Sequence, residues 1–234
     1  MSERVSGAVA LIPSDLSIGI ALDISAGDGL STRMLTELGW RVFPTEMSPR
    51  RPGWTAVNLN HDLPFRDGTF DLVMMLEVVE HLPDIPHILG EIARVLKSNG
   101  VAILSTPNRL NVTSRVHYLL SGFYKGRRAP LHYRYRVEDG RNWHVMGLND
   151  FHWMGHGYGL RLDGLGRSKR KLKTALLAPI LFLPIAAFSY ILYVRGIKDP
   201  AQRKINRELL GFMTSASLLM DENIIMRFRK VEEH

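Results

Sequence analysis

The chain has 234 residues, 45% of them hydrophobic and 23% charged, which suits one α/β domain with an insertion better than two full domains. It contains no cysteine, so disulfides, thiolate metal sites and cysteine nucleophiles are excluded, and a reducing compartment is compatible. The net charge of +7 is unevenly held: residues 1–108 carry 8 Lys/Arg against 13 Asp/Glu, and residues 109–234 carry 22 against 10. The second half is thus the part expected to meet something anionic, with nucleic acid and lipid the obvious candidates.

The start does not read as a signal peptide, because Glu3 and Asp15 flank only a short apolar run from Ala8 to Ile12. Residues 18–24 (IGIALDI) predict a buried parallel strand. Residues 30–38 have helical spacing and stop at Gly39. A second strand is predicted over 41–46, a very short third over 56–59, and a strongly apolar fourth over 70–76 (FDLVMML). A helix over 85–97 is closed by Asn99-Gly100, and a fifth strand covers 101–105.

Residues 109–143 are basic and aromatic and predict a lid or substrate insertion. A helix over 148–156, a strand over 160–165, an uncharged stretch over 174–194, an amphipathic helix over 201–212 and a last strand over 223–231 complete the pass. Strands alternating with helices predict a parallel sheet covered on both faces, with ligands beyond the carboxyl ends of the strands.

The first strand runs into Leu22-Asp23-Ile24-Ser25-Ala26-Gly27-Asp28-Gly29 and then a helix. Small residues let the backbone approach a ligand, and a helix start offers free N–H groups. The third glycine of a dinucleotide loop is replaced by Thr32. Asp23 suits a ligand with a cationic amino group, reached directly or through water, better than a pyrophosphate. Glu46, at the end of the second strand, can accept hydrogen bonds from two ribose hydroxyls.

In this arrangement the sequence resembles the class I methyltransferases that use S-adenosylmethionine, most closely the subgroup containing the quinone-biosynthesis enzymes. The resemblance rests on LDISAGDG (22–29), VFPTEMSP (42–49), DLPFRDGTFDLV (62–73), and EVVEHLP (77–83) followed by EIARVLKSNGVAILSTPN (91–108). It implies a Rossmann-like, mostly parallel seven-stranded sheet, with an apolar helical insertion before the last strand. It also implies that Ser25, Ala26, Gly27 and Gly29 wrap the methionine part of the cofactor. Glu46 would hold the ribose, Met47 would lie against the adenine with Asn58 and Leu59 near its edge, and Glu77 and Val78 would pass beside it. Three departures stand out: Ser25 replaces a glycine, Asn58 replaces an acid, and only seven residues separate Glu46 from Trp54, so the helix found there in the family is reduced or missing.

If the acceptor is a hydroxyl, a histidine is the expected base. His81 follows the fourth strand, and His144 opens a stretch resembling the family's approach to its sixth strand. His132, His152 and His156 read as surface or packing residues. No metal is expected, since His152 and His156 have helical spacing but no Glu follows His152.

Residues 174–194 make 21 uncharged positions, roughly 30 Å of helix, with Lys and Arg on both flanks. A single crossing would part the last strand from the sheet, so a monotopic bent helix or helical hairpin is expected. The chain therefore divides into a methyltransferase domain (1–169 and 214–234), the lid (109–143) and a membrane-associating insertion (170–213), with 167–207 meeting an anionic membrane surface. The expected activity is methyl transfer to a small lipophilic or lipid-linked acceptor, favouring oxygen, by a cytoplasmic protein held peripherally or monotopically at the membrane. An RNA methyltransferase and a non-catalytic membrane-bound S-adenosylmethionine-binding module are the alternatives; nucleic acid is disfavoured because the cations bracket an apolar segment.

Overall fold

A computed structural model describes residues 3–124, 146–170 and 172–231. The strands are β1 (Ile20–Ile24), β2 (Arg41–Glu46), β3 (Thr55–Ala56), β4 (Phe70–Leu76), β5 (Leu96–Pro107), β6 (Leu160–Leu165) and β7 (Asn223–Lys230). They form one seven-stranded sheet in the order β3-β2-β1-β4-β5-β7-β6. Strands β1 to β5 pair in parallel, whereas β7 runs antiparallel between β5 and β6. This is the expected fold class.

The helices are α1 (Glu3–Val9), α2 (Leu30–Glu37), α3 (Ile85–Val95), α4 (Val112–Ser121), α5 (Leu148–Gly157), α6 (Leu172–Tyr190), α7 (Pro200–Met213) and α8 (Ala216–Met220). Two apolar clusters cover the two sides of the sheet. One joins strand residues such as Val73 and Ala102 to Ile88 of α3, Phe151 of α5 and Leu209 and Met213 of α7. The other joins Leu72, Met74 and Ile103 to Ala8 of α1 and Leu35 of α2. Burial on both sides explains why β4 is apolar at every position but Asp71. Helix α1 was not anticipated; its Gly7 passes so close to the Arg167 carbonyl that a Cβ would sit 1.9 Å from the oxygen.

Three expectations about element limits are corrected. The third strand is only Thr55–Ala56, because the chain turns at Asn58, whose Oδ1 accepts the Asn60 N–H at 3.1 Å. Helix α3 ends at Val95, and β5 starts at once: Phe70 pairs Leu96, yet Leu72 pairs Val101. Asn99, at φ 61, lies in this bulge, so Asn99-Gly100 marks an irregularity within a strand rather than a helix stop. The uncharged segment is one helix that runs through Pro179 and Pro184 into a π-helical turn over Ile191–Arg195. Of the two expected forms, a bent helix or a helical hairpin, the hairpin is excluded.

Both ends of α6 are tied to the domain. At the first, Arg170 Nε and the Ser168 N–H donate to Asp221 at 3.0 and 2.9 Å, and the Thr174 hydroxyl donates to the Met220 carbonyl at 2.8 Å. At the second, Asn206 Nδ2 donates to the Tyr193 carbonyl at 2.8 Å, and Asn149 bonds the Tyr193 hydroxyl. The helix therefore lies along the domain. Of the 109–143 lid, only α4 and its flanks fall among the described residues.

Candidate functional site

The turn after β1 is held open by its backbone. Ser25, Gly27 and Gly29 take φ of 53, 57 and 75. The Ala26 N–H donates to the Thr45 carbonyl at 3.0 Å, the Ser25 N–H to Thr45 Oγ1 at 3.3 Å, and the Gly27 N–H to Glu46 Oε1 at 2.7 Å. These bonds tie the turn to the end of β2. A Cβ on Gly27 would meet nothing nearer than the Ser25 carbonyl oxygen at 4.0 Å, so this side of the loop opens onto free space. Gly29 is different: a Cβ there would lie 2.4 Å from Arg51 Nη1, and the Arg51 guanidinium in turn stands 5.2 Å from the Trp54 ring centre. No helix forms over the short connection from Met47 to Trp54, as the spacing predicts, and its Arg51 and Trp54 fold back over the loop.

Asp23 is buried at the end of β1. Its Oδ2 accepts from the hydroxyls of Ser31 and Thr32 at 2.7 and 2.6 Å. Burial pushes its pKa up to about 6, against the two hydroxyl bonds, which pull it down. The residue standing in place of a third glycine is thus a partner of the buried acid. The sequence reading missed this pairing, although a hydroxyl eight and nine positions after the acid is visible in the pattern.

Where the resemblance puts the adenine, Met47 is 68% exposed. The Asn58 side chain is engaged in its own turn, and the Leu59 side chain belongs to the main core, leaving only its backbone at the edge. At the end of β4, Glu77 adopts φ 59, a costly conformation for a residue with a Cβ. Its carboxylate accepts from Ser105 Oγ at 3.1 Å and Asn223 Nδ2 at 2.9 Å, with Arg4 Nη1 at 3.8 Å. Burial and then the nearby Glu80 raise its pKa to about 7. Val78 packs against the main core.

Glu80 is a functional candidate that the sequence reading passed over. It sits in a single 3₁₀ turn (Val79–His81), is buried, and has one carboxylate oxygen without a hydrogen-bond partner. Burial raises its pKa. His81 Nε2 lies 4.0 Å from Glu80 Oε1, and its side chain is half exposed. His144 lies outside the described residues. His152 and His156 sit far from this turn, lining a cleft between α5, β6 and α7. No metal-binding cluster occurs among the described residues.

The site therefore joins a glycine turn with open space at Gly27, a carboxylate at the tip of β2, a buried acid beneath the turn, and a half-buried and a buried acid, Glu77 and Glu80, beside a histidine at the tip of β4. These features fit an S-adenosyl nucleoside carrying an amino-acid end. The pattern of a family described as a methyltransferase domain matches residues 3–164. Over 102 residues the chain is 33% identical to a ubiquinone biosynthesis O-methyltransferase of Rhodopseudomonas palustris, covering 38% of this chain and 40% of that protein. It is 34% identical over 102 residues to a demethylmenaquinone methyltransferase of Tropheryma whipplei, covering 38% and 43%. The chain thus spans about two fifths of the length of these curated relatives. The crystal structure of an S-adenosylmethionine-dependent methyltransferase from Archaeoglobus fulgidus shares the fold, with a TM-score of 0.56, 13% identity, and 97% and 92% of the two chains covered. By the family match and the fold together, the chain belongs to the class I methyltransferases whose cofactor is S-adenosylmethionine.

Proposed function

We propose that this protein methylates an oxygen of a small lipophilic or lipid-linked acceptor at the cytoplasmic surface of a membrane. The cofactor supplies a methyl group on a sulfonium, a good leaving group. In this reading Ser25, Ala26, Gly27 and Gly29 receive its methionine part, Asp23 its ammonium group and Glu46 its ribose. Met47, Asn58 and Leu59 border the adenine, and Glu77 and Val78 pass beside the reacting end. The residues act mainly by alignment, which can correspond to effective molarities of about 10⁵–10⁸ M. His81 accepts the proton of an acceptor hydroxyl, with Glu80 placed to stabilise the imidazolium. His144 is the second candidate for that base, on the family resemblance alone.

The observation that carries the lipophilic part is the polarity of α6. Thr174, Ala178 and Ser189 are its buried residues, while Leu172, Leu176, Ile180, Leu183 and Phe188 face outward. Such a surface suits a hydrocarbon medium rather than water. Ten Lys or Arg against one acid lie within 167–207, each cation worth about 1 kcal/mol near an anionic bilayer. The quinone-biosynthesis relatives support a small-molecule acceptor. The test incubates the protein with methyl-labelled S-adenosylmethionine, a membrane lipid extract and total RNA. Label in the lipid fraction is expected; label in RNA alone would overturn the proposal.

A further inference from the structure

The apolar surface does not end with α6. Helix α4 packs along it through Val112, which meets Ala178 and Leu219, with Leu177, Leu181 and Ile185 alongside. The far end of α4 then projects Tyr118, Leu119 and Leu120, with Leu119 and Leu120 81% and 80% exposed, and Phe123 follows the Gly122 cap. Leaving adjacent leucines so exposed in water forgoes the gain that burial would give. No acid lies between Glu91 and the end of α4, whereas Arg109 and Arg115 do.

These two helices are rooted at the reacting edge of the sheet. Helix α4 follows directly on the end of β5, where Pro107 pairs Asn223. Asn223 donates to Glu77, and its N–H donates to Ser168 Oγ at 3.0 Å. Ser168 and Arg170 both bind Asp221 at the start of α6. One short chain of hydrogen bonds thus links the tip of β4, where the methyl group would be passed, to the base of the apolar surface.

We infer that α4 and α6 enter one leaflet of an anionic bilayer together, the end of α4 as a second insertion point, so that the mouth of the cleft meets the lipid and the acceptor passes in sideways without crossing water. The occupant of this surface is the bilayer. Exposed Arg167, Lys169, Arg170 and Lys173 at one end of α6, and Arg195, Lys198, Lys204 and Arg207 beyond the other, give it the charge that anionic headgroups complement. This inference rests on the membrane reading of α6 and adds what that reading lacks, a direction for the cleft.

The test measures co-sedimentation of the full chain with vesicles of phosphatidylcholine, with and without phosphatidylglycerol, alongside calorimetry with S-adenosylmethionine. Wild type is expected to bind the anionic vesicles and release in high salt. The double variant Leu119→Glu/Leu120→Glu should bind them about 100-fold more weakly while keeping wild-type cofactor affinity, because neither side chain touches the glycine turn. An Ile180→Glu variant, on α6 alone, should also weaken binding. If only Ile180→Glu weakens it, the insertion point on α4 is wrong while the α6 reading stands. If wild type binds no vesicle, both fall. If gel filtration shows a wild-type dimer that the double variant splits, a second copy covers the surface and the inference is overturned.

Discussion

Helices α3 and α6 are both rich in large apolar residues, yet they turn them in opposite directions. Helix α3 buries Ile85, Ile88, Leu89 and Ile92 against the sheet and caps itself with Asp84, which accepts the His87 N–H at 3.0 Å. Burying each of those side chains is worth about 1.5–3 kcal/mol. Helix α6 buries Thr174, Ala178 and Ser189 and shows Leu172, Leu176 and Leu183 to the outside. The first belongs to the acidic half proposed to cradle the cofactor, the second to the basic half. Apolar content says how much hydrocarbon an element carries; the partners of its few polar residues say which side faces the protein. In α6 those partners are fixed, since Thr174 donates to the Met220 carbonyl at 2.8 Å.

If the two halves divide labour in this way, changes in one should spare the other. The largest effect is expected from Gly27→Val, which puts a branched side chain at φ 57 and fills the open side of the turn. Calorimetry should show S-adenosylmethionine affinity down by about 100-fold or more, with vesicle binding unchanged.

Next comes Glu77→Gln. The folded-state pKa of about 7 stands above the ordinary glutamate value of 4.5, so folding takes up a proton between these values. The contribution of Glu77 to stability is full below about pH 4.5 and is lost as pH rises through about 7. An amide that keeps the bonds to Ser105 and Asn223 escapes that loss. Thermal unfolding should find the variant more stable than wild type by about 2 kcal/mol at pH 8, and equal to it near pH 4.5. A gain that does not vary with pH would refute the assignment.

Glu46→Ala removes an acceptor of charge-assisted bonds and should weaken cofactor binding about tenfold, again without touching membrane affinity. Unchanged affinity would mean that Glu46 does not hold the ribose. Smallest of all, Leu176→Gln with Ile180→Gln should leave thermal stability within about 0.5 kcal/mol, because both positions already face outward. A large loss of stability would show that α6 is an ordinary packed helix.

Much of the cofactor half was legible in the sequence because its elements carry local signals. Residues 41–46 and 70–76 became β2 and β4 at the same limits, since a parallel strand buried on both sides is a short apolar run between polar ends. The bulge in β5 was not legible: Asn99-Gly100 has the same chemistry at a helix end and at a strand irregularity, and only pairing with β4 decides between them. The partnership of Asp23 with Ser31 and Thr32 and the contact of Glu77 with Asn223, 146 positions away, also needed three dimensions. In α6 the composition announced a hydrocarbon-loving segment, but its ties to Asp221, Asn149 and Asn206 come from distant parts of the chain. Those ties hold a single helix along the domain, where the sequence left a bent helix and a hairpin both open.

The place of β7 has a further consequence for biogenesis. This strand divides β5 from β6, yet it follows α6 in the chain, so a ribosome delivers the greasy helix before the piece that closes the sheet. Synthesis proceeds from the N-terminus, and pairings between distant segments form late. The nascent protein therefore carries an exposed oily handle while Glu77 still lacks Asn223 as its partner. On the membrane reading proposed above, arrival at lipid precedes completion of the sheet, so that the enzyme would mature where it works.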